Sequence, residues 1–279
     1  MHAAALPAHD ADAAARLRDW LDAHPRVFVL TGAGISTASG IPDYRDRDGQ
    51  WKRPPPITYQ ALVGDAHTYR RYWARSFIGW PHVDRAQPNP GHRALARLPA
   101  ERHTALVTQN VDGLHQRAGS PRVIDLHGRL DGVVCLGCGA TTPRAALQAR
   151  MAAANAGWQA AMARAAPDGD ADIDAEAVAA FAPPHCDACG GMVKPDVVFF
   201  GENVPRAVYQ SALDALHGAD AALVVGSSLM VYSGFRFARM ARERGMPLAV
   251  LTRGTTRADD LATLKLDGDC GAVLDAAIP

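Results

Sequence analysis

The apolar positions along this chain fall into short runs separated by stretches of helical periodicity. "DADAAARLRDWLDAH" (10–24) places Ala, Leu and Trp at helical spacing and ends at His24-Pro25, which predicts a helix feeding the strand "RVFVL" (26–30). Further apolar runs bounded by turns or polar clusters read as strands: "TALVT" (104–108), "RVIDL" (122–126), "DVVFF" (196–200), "AALVVG" (221–226) and "PLAVLT" (247–252). Helical patterns lie between several of them, as in "NPGHRALARL" (89–98) and "RAVYQSALDALHG" (206–218). Such alternation predicts an α/β fold with a largely parallel sheet covered on both faces.

Two stretches break the alternation. Residues 50–90 are rich in aromatics, arginine and proline and predict a helical insertion, and residues 131–194 hold two cysteine pairs around an alanine-rich segment. Together they predict a smaller zinc-binding and helical lobe beside a large Rossmann-like lobe made of about 12–49, 91–130 and 195–276. A cleft between lobes is where ligands commonly bind. A length of 279 residues suits this plan, with enough chain for a large core.

Charge narrows the function classes. Lys and Arg number 29 and balance 29 Asp and Glu, so no strong field favours nucleic acid or an anionic membrane. No apolar run approaches a membrane span, and "MHAAALPAHDADAAARL" carries two acids before its first Arg, which argues against a signal or transit peptide. The expectation is a cytoplasmic protein, with a monomer plausible.

Candidate chemistry gathers where strands end. In "LTGAGISTASGIPDYR" (30–45), Gly32 and Gly34 allow a tight turn and close approach of backbone N–H groups to a pyrophosphate, although many strand-to-helix turns need glycine for geometry alone. "TQNVDGLH" (108–115) puts Gln109, Asn110, Asp112 and His115 within seven residues after an apolar run. "IDLHG" ends in His127, which is either structural or catalytic, and "GSSLMVYS" (226–233) is a glycine-serine turn suited to phosphate or ribose contacts. "KPDVVFFGENVP" (194–205) is either a buried strand turning into a helix or an edge along which an extended peptide could lie. The pairs Cys135/Cys138 and Cys186/Cys189 have the spacing that grips one tetrahedral zinc ion, with disulfides or free thiols as the alternatives. Their flanks are not basic, which argues against a nucleic-acid-binding ribbon. Cys270 stands apart from the pairs.

These motifs occur in the same order as in the sirtuins, the NAD-dependent protein-lysine deacylases, and the chain resembles that family from about residue 12 to 276. The insert between the cysteine pairs, with "APDGDAD" inside it, together with "YWARSFIGWP" and "TTRADDLATLKLDGDCG", is most similar to class II sirtuins. The composition and the missing transit peptide point toward a bacterial member. The resemblance implies NAD as co-substrate, one structural zinc, acyl-lysine-bearing proteins as partners, and release of nicotinamide and O-acyl-ADP-ribose. It implies His127 as general base on the ribose hydroxyls, with Asn110 in the catalytic pocket. Asp112 and the Val111 backbone would hold the carboxamide, while Gln109 and Asn110 would contact the ribose and an ordered water. Gly32, Ala33, Gly34, Asp43, Tyr44 and Arg45 would line the cofactor loop, Tyr44 standing where phenylalanine is commoner. Gly226, Ser227 and Ser228 would bind the phosphate-ribose region, with Thr252, often asparagine in the family, and Cys270 near the adenine. Val198, Phe200, Gly201 and Glu202 would form the acyl-lysine tunnel. Tyr72 and Arg75 echo a Tyr-x-x-Arg pair that binds acidic acyl groups, or else sit on an ordinary helix face. His115 is read as structural. Two other functions compete: mono-ADP-ribosyl transfer to protein from the same site, and a non-catalytic NAD or ADP-ribose sensor. The insert at 140–185 is further expected to close over the site.

Overall fold

The computed structural model describes residues 6–99, 102–156, 158 and 178–278. Its larger sheet contains β1 (Val27–Thr31), β2 (His103–Thr108), β3 (Val123–Asp125), β7 (Ala221–Val225), β8 (Leu248–Leu251) and β9 (Leu264–Leu266), in the order β3-β2-β1-β7-β8-β9. Every pairing in it is parallel. β1, β7 and β8 are buried at every position, which is why they read as unbroken apolar runs rather than alternating ones.

Alternate residues of these strands serve two cores. Val27, Val29, Leu223 and Leu251 face Leu17 and Leu21 of α1 (Ala8–Ala23), Leu95 of α4 (Pro90–Arg97) and Leu274 of α9 (Cys270–Ala277). Phe28, Leu30, Val224 and Val250 face Leu216 of α7 (Arg206–His217) and Phe237 of α8 (Tyr232–Glu243). With helices on both faces the sheet has no solvated side, as the alternation predicts.

A second sheet is antiparallel and three-stranded, in the order β5-β4-β6, from β4 (Gly128–Cys135), β5 (Thr141–Pro143) and β6 (Val193–Val197). It packs with α2 (Tyr59–Gly64), α3 (Ala66–Arg85) and α6 (Arg144–Ala154) around a third core that includes Leu62, Tyr69, Trp73, Val133, Leu147, Val193 and Phe199. The run "DVVFF", expected as a strand of the alternation, belongs here instead: only Asp196 and Val197 lie in β6, and Val198–Phe200 leave the sheet. Phe199 is buried in this third core while Val197, Val198 and Phe200 are half-buried along the cavity wall, and an apolar run by itself does not separate this from a strand of the large sheet. "APDGDAD" lies outside the described residues.

Candidate active site

The strand order reverses between β1 and β7, and at such a switch point the loops beyond the strands' carboxyl ends diverge and leave a crevice. A cavity of about 750 Å³ opens there. Its walls carry the loops after β1, β2 and β7, together with His127 and residues 197–204.

The two glycine loops at the switch point interlock. The Gly32 and Gly34 N–H groups donate to the carbonyls of Val225 and Gly226, at 3.0 and 2.8 Å. A Cβ on Gly34 would come within 2.8 Å of the Gly226 oxygen, and one on Gly226, whose φ is +61°, within 2.4 Å of the Ile35 nitrogen. These glycines therefore serve the contact between loops, with their own N–H groups bonded to backbone. Leu229, at φ +57°, is the described non-glycine residue with positive φ, so the turn after β7 holds a conformation that a branched side chain disfavours.

The loop after β2 is held by its own side chains. Asn110 donates through Nδ2 to the Gly32 carbonyl and to Ser36 Oγ, both at 3.1 Å. Ser36 in turn donates to Asp112 Oδ2 at 2.7 Å, and Asp112 Oδ1 accepts the Leu114 N–H. Burial pushes the Asp112 carboxyl above the usual range, against the lowering pull of the Leu114 N–H, the Ser36 hydroxyl and Arg117. Gln109 accepts the Ser227 hydroxyl at 2.7 Å, and Gly234 leaves the space its amide occupies. Val111 carries its carbonyl to the Leu130 N–H. His115 lies outside the cavity lining, fully buried, with Nε2 2.9 Å from Thr31 Oγ1 and its ring 4.8 Å from that of His92.

His127 is fixed at both nitrogens. Nδ1 lies 2.9 Å from the Gln109 carbonyl, which can only accept, so Nδ1 carries the proton of the neutral ring. Nε2 is then the acceptor of the Ser233 hydroxyl at 2.7 Å. Burial depresses the imidazole's pKa below the ordinary value; the Gln109 carbonyl opposes this and the Arg236 guanidinium adds to it. The ring is held neutral with its lone pair on Nε2, the state a general base needs. Ser36, Ser233 and Arg236 were not singled out from the sequence. Ser36 ends "GAGIS" and Ser233 ends "GSSLMVYS", so the signal was their place in motifs already noted.

The remaining expected residues distribute around the same cavity. Asp43, Tyr44 and Arg45 line it from a hairpin in which Arg45 bridges to Trp51. The Arg45 guanidinium lies 3.8 Å from the Trp51 ring centre and donates to the Gly49 carbonyl, while Asp43 accepts from Lys52. Tyr44, Trp51 and Phe200 meet edge-on, with Tyr44 and Phe200 6.5 Å apart. Ala33, Ser228, Thr252 and Cys270 also line the cavity, as do Gly268 and Asp269. The Cys270 thiol is pushed up to about 12 by burial, so it is a small buried group and not a nucleophile. Val198, Gly201 and Glu202 are among the lining residues too. The Phe200 and Gly201 carbonyls already accept from the Tyr59 N–H and the Gln60 amide, and the Glu202 carboxylate turns back to Lys194 and the Phe199 N–H. Glu202 thus shapes its own turn. Tyr72 lines the cavity against Phe199, whereas Arg75 is not among the lining residues, so the pair does not converge there.

The four paired cysteines converge outside that cavity, their sulfurs all within 4.8 Å of one another. Cys135 and Cys189 Sγ lie 3.5 Å apart, and Cys138 and Cys186 Sγ 3.7 Å. A disulfide needs about 2.05 Å. A tetrahedral zinc bound at about 2.3 Å needs sulfur separations of about 3.8 Å, which this set fits. Each pair ends in a glycine of positive φ, Gly139 and Gly190, whose N–H closes back on the first cysteine's carbonyl at 3.0 and 2.8 Å. The Cys138 and Gly137 N–H groups draw the Cys135 thiol below its ordinary value, favouring the thiolate a metal requires.

The Sir2 family model matches residues 32–233. The NAD-dependent protein deacetylase 2 of Bradyrhizobium diazoefficiens is 59% identical over 259 residues, covering 92% of this chain and 95% of the relative. The NAD-dependent protein deacetylase of Xanthomonas axonopodis pv. citri is 57% identical over 271 residues, 97% of this chain and 92% of the relative. Among solved structures, a Sir2–p53 peptide–NAD+ complex is similar at 30% identity and a TM-score of 0.73, covering 93% of this chain and 94% of that one. With a family model over most of the chain and relatives above half identity over nine-tenths of it, the chain belongs to the Sir2 family, the sirtuins.

Proposed function

We propose that this protein is an NAD-dependent protein-lysine deacylase with His127 as its general base. The observation that carries the reading is the single cavity in which a neutral, doubly anchored His127 meets the interlocked glycine loops, the Gln109–Asp112 segment and the turn at 198–202. The high identity to proteins named NAD-dependent protein deacetylases, and the similarity to a Sir2 complex holding both NAD and a peptide, support it.

NAD, when bound, supplies an electrophilic ribose carbon with nicotinamide as its leaving group. The residues here do the rest. Asn110, Asp112 and Ser36 form a pre-bonded polar floor suited to an amide and a ribose, which need paired donors and acceptors more than charge. The cluster of Tyr44, Trp51 and Phe200 would exclude water from the reacting face. His127 takes a proton from a ribose hydroxyl at Nε2, the hydroxyl displacing Ser233, while the Gln109 carbonyl stabilises the imidazolium through Nδ1–H. One zinc on the four cysteines would hold the small sheet and touch no reactant.

The test is His127→Ala with NAD and an acetyl-lysine peptide. Deacylation falls by about 10²–10⁴-fold while NAD binding persists, both read by product mass spectrometry and calorimetry. Unchanged turnover removes His127 from the mechanism. Nicotinamide without O-acyl-ADP-ribose would favour ADP-ribosyl transfer or hydrolysis, and NAD binding with no product would favour a sensor.

A further inference from the structure

Beside the base, Tyr232 and Arg236 line the cavity, and two more arginines, Arg239 and Arg257, stand against Tyr232 just outside that lining. Tyr232 is the large apolar side chain that stands exposed among the described residues, at 46%. Three guanidinium groups surround its ring, with Arg236 and Arg239 carbons 5.6 Å from the centre and Arg257 5.9 Å. Arg236 also lies 4.7 Å from the Tyr209 ring and Arg257 4.2 Å from the Phe235 ring. Aromatic faces orient guanidinium planes without neutralising them.

Carboxylates leave two of the three unpaired. Arg239 reaches Glu243 at 3.2 Å on an exposed helix face, and among the described residues no carboxylate lies within ion-pair distance of Arg236 or Arg257. Arg236 Nε is buried without a hydrogen-bond partner. Across the cavity Glu202 is bonded to Lys194 and the Phe199 N–H and is not offered to the rim. The whole chain is electrically balanced, 29 bases against 29 acids, so this local excess is a property of the place.

Its position names the ligand. Arg236 follows Ser233 by three residues on α8, one helical turn from the hydroxyl that bonds His127, and both line the cavity. The inner wall, at Tyr72 and Phe199, is buried and apolar, whereas the rim at Tyr232 is open to solvent. An acyl chain therefore belongs inward and the flanking peptide at the rim. We propose that Arg236, Arg257 and Arg239 around Tyr232 form a subsite for an acidic residue close to the acyl-lysine in the protein substrate. A guanidinium fork binds a carboxylate through two parallel hydrogen bonds, which matches an acidic side chain better than an amide of the same shape. The inference rests on the deacylase reading.

The experiment uses the zinc-loaded full chain, saturating NAD, and acetyl-lysine peptides identical except for Glu, Gln or Lys at each of the two positions on either side of the lysine. Turnover is read as nicotinamide and deacetylated peptide, and binding separately by fluorescence anisotropy. Glu at one of these positions is expected to raise kcat/KM about fivefold to tenfold over Gln, mainly through KM, with Lys poorest and the gain shrinking as salt rises. In Arg236→Gln and Arg257→Gln the Glu-to-Gln ratio, taken within each variant, falls toward one, and Arg257→Glu shifts the preference toward Lys. Equal values for all three peptides overturn the proposal, as does a Glu preference that survives the double Arg-to-Gln variant. If instead the two arginines set only a preference for succinyl-lysine over acetyl-lysine, the carboxylate belongs to the acyl chain and the peptide subsite is wrong. Absence of turnover with every peptide defeats the deacylase reading, while the anisotropy comparison of Glu and Gln peptides still decides the subsite.

Discussion

At the scale of single residues the site is governed by which hydrogen bonds hold histidines neutral. Ser233 donates to the lone pair of His127 and so favours the neutral ring. In Ser233→Ala that preference is lost: kcat/KM is expected to fall about threefold to tenfold, and the acid limb of the pH–kcat/KM profile, which reports the free enzyme, to move to higher pH, with Ser233→Thr restoring both. A loss equal at every pH would mean that Ser233 only packs. Two other histidines act on stability. Burial holds His92 down to about 4 and His115 well below its ordinary value. Below about pH 6.5 the unfolded chain binds protons that the folded one refuses, so stability falls as pH drops; for His92 the loss is about 1.5 kcal/mol between pH 6.5 and 5, and His115 adds to it in the same direction. Urea unfolding at the two pH values checks this, with His92→Gln expected to reduce the pH dependence and an unchanged dependence counting against it. "IDLHG" alone left His127 either structural or catalytic, and only the order of motifs around it pointed to a base; its tautomer was not legible, because Gln109 and Ser233 lie 18 and 106 residues away in sequence and the fold had to bring them together.

At the scale of elements, two devices position the site. The first is the glycine interlock between the loops after β1 and β7. Gly226→Ala would force a side chain into left-handed backbone and against the Ile35 nitrogen, and is expected to cost about 1–3 kcal/mol of stability together with NAD affinity; denaturant unfolding and calorimetry measure both, and an undisturbed variant would show that the loops can part. The second is the tie between the cysteine cluster and the base. β4 begins immediately after His127 and ends at Cys135, while β6 continues into Val198, whose N–H bonds the His127 carbonyl at 2.8 Å. Gly128 makes the crossing possible, since a Cβ there would meet the Asp196 oxygen at 2.1 Å. Chelating the zinc is therefore expected to release hydrogen-exchange protection in β4–β6 and abolish turnover, while β1, β7 and β8 stay protected. Persistent turnover in metal-free protein would uncouple the two. Cysteine spacing made the zinc set legible, and buried apolar runs made the strands of the large sheet legible. "DVVFF" misled because an apolar run says that a segment is buried and not which sheet buries it.

At the scale of the whole molecule, the strand order explains why so many polar turns face one space. With β1 and β7 adjacent and the chain departing from them in opposite directions, the loops carrying Gly32, Asn110 and Gly226 converge on one edge of the sheet, and the second sheet walls the cavity from the other side. Local sequence determined the kinds of element, the zinc ligands, and the order of motifs by which the family is recognised, because turn chemistry, periodicity and ligand spacing act over a few residues. It also determined that polar groups cluster at strand ends. Only the tertiary structure decided which of them share a cavity: Tyr72 enters and Arg75 does not, Glu202 is consumed by its own turn, and Ser36, Ser233 and Arg236 join. Those outcomes depend on distances between residues tens to hundreds of positions apart, and the packing of the two sheets and their helices sets them.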